Sequence, residues 1–162
     1  MMLLLLLTLT WITLSLIIIQ DYKDRSVYWF LYPLVGLLVL GIQLIQNPIY
    51  TVLFNSLSNL VFISFLLLFA ALYSKFRFKK GLINESLGLG DVLFFIAISF
   101  AFAPISFFIL FVFSLLFALA IHVFLNPKKN GSTVPLAGHM ALFFGIVYAV
   151  LFFTKDYSLY AY

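Results

Sequence analysis

Residues 87–125 read LGLGDVLFFIAISFAFAPISFFILFVFSLLFALAIHVFL, and the way this segment divides decides the fold. As one helix it would be about 39 residues and roughly 58 Å long, too long for a hydrocarbon layer of about 30 Å at any common tilt. Pro104 supplies the break, because proline sits well in the first turn of a new helix and poorly inside one. The segment therefore predicts two crossings, from about Leu87 to Ala103 and from Pro104 to about Leu125.

The rest of the chain follows the same pattern. Residues 1–20, MMLLLLLTLTWITLSLIIIQ, carry no charge and are long enough to span. They lack a basic start and a small-residue cleavage site, so they read as a mature helix and not as a signal peptide. Further apolar runs extend from about Val27 to Gln46, Thr51 to Ser74 and Val134 to Phe153. Asn47 and Pro48 mark the turn between the second and third runs. Asn55, Ser56, Ser58 and Asn59 open the third run as candidates for packing across a helix interface. The expectation is an all-α polytopic membrane protein of six transmembrane helices, forming one domain over residues 1–162.

Composition narrows the function. The chain has 162 residues, 65% of them hydrophobic and 9% charged, with a formal charge of +4. A water-soluble globular domain and a disordered chain are both excluded by so much apolar side chain. Cysteine is absent, which removes disulfides, thiolate nucleophiles and cysteine-based metal sites. No metal and no cofactor are expected. The basic residues form no interleaved patch for nucleic acid; they report orientation instead. Lys23 and Arg25, then Lys75, Arg77, Lys79 and Lys80, then Lys128 and Lys129 fall on one face of a six-span chain, opposite Lys155. The positive-inside rule puts that face in the cytoplasm of a cell inner membrane and both termini outside. A five-span chain would separate Lys128 and Lys129 from the others.

Topology brings two aspartates, Asp21 at the end of span one and Asp91 near the start of span four, to the same depth. A carboxylate at an apolar boundary is expensive unless wetted, paired or protonated, so such a residue is a functional candidate. Two carboxyl groups in contact would share a proton, one acting as base toward water and the other as acid toward a carbonyl oxygen. Asp21 can also be read as a headgroup-zone charge paired with Lys23 or Arg25. Asp24 lies further into the loop. In GLGD, Gly88 and Gly90 offer conformational freedom or close approach beside Asp91; a first-turn acid at a helix start is the simpler alternative.

In these residues the chain resembles the type IV prepilin leader peptidases, membrane aspartic peptidases with a GxGD motif. Asp21 matches the first catalytic aspartate, Arg25 the basic position after it and Val27 an aliphatic one. Gly88, Gly90 and Asp91 match GxGD, with Val92 following, and VPLAG at residues 134–138 loosely matches a proline-containing segment near the last span. The resemblance implies catalysis by Asp21 and Asp91, support from Gly88 and Gly90, a prepilin- or pseudopilin-like substrate, and cleavage of its leader on the carboxyl side of a glycine at the cytoplasmic membrane face. Membrane lipid is the other partner, and no nucleic acid is implied. The chain departs from the family pattern at Tyr28, Trp29 and Leu93, which bears on substrate selectivity. The cysteine-bearing amino-terminal extension of the longer enzymes has no counterpart here.

Two alternatives stand beside this one. A presenilin-like protease would use the same carboxyls to cut within a transmembrane helix. A small transporter or assembly protein would hold Asp21 and Asp91 on separate faces. His122 and His139 read as hydrogen-bonded or interfacial histidines, and Tyr28, Trp29 and Tyr32 as an aromatic belt or helix contact.

Overall fold

The apolar runs become helices that end where polar side chains or prolines intervene. A computed structural model of the chain describes residues 1–78, 88–125, 135–154 and 158–160. Six α-helices lie among these residues: α1 (Met2–Lys23), α2 (Leu31–Gln46), α3 (Ile49–Phe78), α4 (Leu89–Ile98), α5 (Pro104–Leu125) and α6 (Leu136–Thr154), followed by one 3-10 turn at Ser158–Tyr160. The stretches holding Lys79, Lys80, Glu85, Lys128, Lys129, Val134, Lys155 and Asp156 lie outside the described residues.

Four helices, α1, α3, α5 and α6, are long and apolar enough to cross a membrane; α2 and α4 are shorter, at 16 and 10 residues. The protein is all-α, with the architecture of a multi-span membrane protein. Side chains such as Phe54, Leu57, Val61, Phe65 and Leu68 stand exposed along α3, an arrangement suited to lipid and not to water.

Two boundaries differ from the sequence expectation for physical reasons. α2 begins at Leu31 and not Val27, because residues 24–30 are tied into a loop. The Gln20 side-chain oxygen accepts from the Tyr28 amide at 3.0 Å, and the Leu31 amide donates to the Tyr28 carbonyl at 3.0 Å. Pro33 then falls in the first turn of α2, where a missing N–H breaks no helical bond. α4 stops at Ile98, short of Ala103. The Ser99 hydroxyl donates back to the Ile96 carbonyl at 2.7 Å, and the Asn59 side-chain amide donates to the carbonyls of Ser99 and Phe102, each at 2.9 Å. The turn is thus satisfied from α3, and Pro104 opens α5 immediately after it.

The ten-residue α4 packs among longer neighbours. It touches α2, α3 and α6, while α1 lies against α6 and α2, and α5 against α6 and α3. Gly36 of α2 faces Ala97 of α4, where a Cβ would stand at ordinary contact distance, 3.4 Å from the Ala97 Cα. Trp11 of α1 donates its indole N–H to the Gly145 carbonyl of α6 at 2.9 Å. Phe94, Phe102, Phe107, Phe111 and Phe144 fill the interior. At one end of the bundle Phe102 stacks on Tyr148 and meets Tyr160, with ring centroids 5.5 and 5.3 Å apart. The other end holds the aspartates.

Candidate functional site

The site forms where the carboxyl end of α1 meets the amino ends of α2, α4 and α6. A helix start leaves its first N–H groups without partners inside the helix. In α6 those groups belong to Leu136, Ala137 and Gly138, and the preceding Pro135 has no side-chain acceptor to offer them. Two other helices supply the acceptors. The Ala137 amide donates to Oδ1 of Asp91 at 2.9 Å, and the Gly138 amide donates to Oδ2 of Asp21 at 2.6 Å. Residues 70 positions apart in sequence therefore hold adjacent peptide groups. The positive end of the α6 dipole and two charge-assisted hydrogen bonds stabilise carboxylates there. Asp21 is 9% exposed, and Asp91 is half-buried.

The glycines around these acids make room for polar atoms. A Cβ on Gly138 would lie 2.8 Å from Asp21 Oδ2; one on Gly88 would lie 3.1 Å from Asp91 Oδ2; one on Gly90 would lie 2.5 Å from the Tyr32 hydroxyl oxygen. Gly88 has φ −68° and ψ 143°, an ordinary extended conformation, and Gly90 lies within α4. Close approach, not an unusual backbone, is what these two positions require. The Gly88 carbonyl accepts from the Asp91 amide at 3.1 Å, which fixes the start of α4.

A second contact joins α1 to α6 one residue further along each helix. The Tyr22 hydroxyl and Nε2 of His139 are hydrogen-bonded at 2.8 Å, with the rings edge to face at 5.2 Å. His139 is buried and Nδ1 has no partner among the described residues. His122 also has a buried Nδ1 without a partner among them. Among the described residues no three His, Cys, Asp or Glu side chains are grouped to hold a metal ion.

Asp21, Asp91, Gly88 and Gly90 thus come together in space, while Asp24 is exposed in the loop. Tyr28 and Trp29 are exposed, but Tyr32 is buried with its hydroxyl against Gly90. Sequence reasoning gave Tyr32 only to an aromatic belt or helix contact, and it passed over Tyr22 and the two amides of α6. For Ala137 and Gly138 the available signal was proline followed by small residues at the start of an apolar run. For a place of Tyr32 beside the aspartates there was none, since a tyrosine near a membrane boundary usually reports the boundary. No protein-family model, curated protein or solved structure matches the chain.

Proposed function

We propose that the protein is a membrane aspartic endopeptidase that removes the leader from type IV prepilin-like proteins, with Asp21 and Asp91 as its catalytic pair. The observation that carries this reading is the seating of both carboxyl groups on the adjacent amides of Ala137 and Gly138. Carboxyls held so close repel one another when both are ionised, which favours a state in which the pair keeps one proton. The ionised member takes a proton from water as the oxygen attacks the scissile carbonyl, and the protonated member donates to the carbonyl oxygen. Collapse of the tetrahedral species breaks the C–N bond; the amine leaves with a proton and the new carboxyl remains on the leader. Neither aspartate becomes covalently attached.

In this reading all six helices cross the membrane, the shorter α2 and α4 being completed by their flanking residues. Both termini are extracytoplasmic, and Lys23, Arg25 and Lys75 mark the cytoplasmic face of an inner membrane, where the site opens. The substrate's leader and the glycine before its apolar helix follow from the resemblance to prepilin peptidases.

The test is processing of a candidate prepilin in membranes containing the wild type, Asp21→Asn or Asp91→Asn. The wild type shortens the substrate and both variants leave it intact. Full cleavage by either variant overturns the assignment, and a product cut inside the apolar helix replaces it with an intramembrane protease.

A further inference from the structure

Tyr32 is an apolar-looking residue with a polar end in a telling place. Its ring is buried in the first turn of α2, edge-on to Phe94 at a centroid distance of 6.4 Å, and is 3% exposed. That packing would be met equally by phenylalanine. The hydroxyl is what distinguishes it, and it lies so close to α4 that only a glycine fits at position 90: a Cβ there would be 2.5 Å from the oxygen and 3.3 Å from Cζ. The phenol lies in the electrostatic field of both Asp21 and Asp91. No hydrogen bond holds the hydroxyl among the described residues. The ring is buried, and the hydroxyl keeps its proton available for a further partner beside two acids.

We propose that the Tyr32 hydroxyl is a third catalytic group of the site, donating a hydrogen bond to the substrate's carbonyl oxygen as negative charge develops there. The inference rests on the peptidase reading and adds to it an oxyanion donor that neither aspartate replaces. During attack by water, electron density moves from the carbonyl π bond onto oxygen, and a fixed O–H dipole aimed at that atom stabilises the transition state more than the planar substrate. The tyrosine keeps its proton throughout. Gly90 has a matching purpose, since any side chain there would push the hydroxyl away from the acids.

The experiment is steady-state cleavage of a prepilin by purified protein in detergent, for the wild type, Tyr32→Phe, Gly90→Ala and the double variant. Loss of one donor of this kind lowers kcat by about 10²-fold, with KM within about threefold because the effect falls on the transition state. Gly90→Ala costs activity in the wild-type background and much less in the Tyr32→Phe background, where the displaced oxygen is already gone. A Tyr32→Phe enzyme with unchanged kcat overturns the proposal, as does an equal cost of Gly90→Ala in both backgrounds. Asp21→Asn and Asp91→Asn run in parallel keep the two readings apart. If they are inactive while Tyr32→Phe is fully active, only the role of Tyr32 fails; if they cleave normally, the peptidase reading itself fails.

Discussion

Gly138 and Asp21 fit each other with no room for a methyl group: a Cβ on the glycine would stand 2.8 Å from Oδ2 and 3.0 Å from Cβ of the aspartate. The same glycine donates its amide to that carboxylate at 2.6 Å. Gly138→Ala therefore pushes away the group its own backbone binds. Prepilin processing should fall by at least about tenfold, the scale of 1.4 kcal/mol lost in positioning. Gly145→Ala in the same helix is the control, since a Cβ there meets nothing within 4 Å. It should leave processing intact and stabilise the fold by up to about 1 kcal/mol through helix propensity, read as a higher thermal midpoint.

Asp21→Asn and Asp91→Asn keep an oxygen that can accept from the α6 amides but lose the ionisable group. On the peptidase reading each should abolish processing, and the double variant should be no worse than either single one, as expected of carboxyls that act as a unit. Turnover by the wild type should give a bell-shaped pH profile. Rate is lost at low pH when both acids are protonated and no base remains, and at high pH when both are ionised and no acid remains.

The bond between Tyr22 and His139 ties α1 to α6 beside the aspartates. Tyr22→Phe leaves a buried imidazole nitrogen without its partner and should destabilise the protein by about 1–3 kcal/mol. Removing both polar groups, as in Tyr22→Phe with His139→Leu, should restore part of that loss. Thermal unfolding in detergent checks the order of the three proteins.

Asn59 alone serves two carbonyls in the turn between α4 and α5. Asn59→Leu strips both and should cost about 2–6 kcal/mol, since each buried carbonyl left bare costs about 1–3 kcal/mol. Ser58→Ala, one residue earlier and only half-buried, should stay within about 0.5 kcal/mol.

Because the chain has no cysteine, single substitutions report topology directly. Asp24→Cys and Lys75→Cys should react with an impermeant thiol reagent only from the cytoplasmic side, and Pro48→Cys only from outside. Labelling of positions 24 and 48 from one side would contradict an α2 that crosses the membrane.

Much of the fold was legible because lipid imposes a coarse rule that composition obeys. α1 and α5 appear close to where uncharged runs place them, and the break before Pro104 follows from helix length alone. The early end of α4 was not legible, since it depends on an asparagine 40 residues earlier reaching the Ser99 carbonyl. At the site, the aspartates stand out because charge is rare in this chain. The amides of Ala137 and Gly138 do not, because every residue but proline carries an N–H and only the fold reveals which ones lack a helical partner. Tyr32 was hidden by its type: a phenol has two possible employers near a membrane, the headgroups and the protein, and the letters do not say which.

The shortness of α4 has a mechanical consequence. At about 15 Å it is half as long as a hydrocarbon layer is deep, and the carbonyls of Ser99 and Phe102 in the turn after it accept from the Asn59 side chain of α3. Sliding such a rod sideways would strand bare carbonyls in oil. At its carboxyl end α4 is thus pinned to α3 by one side chain.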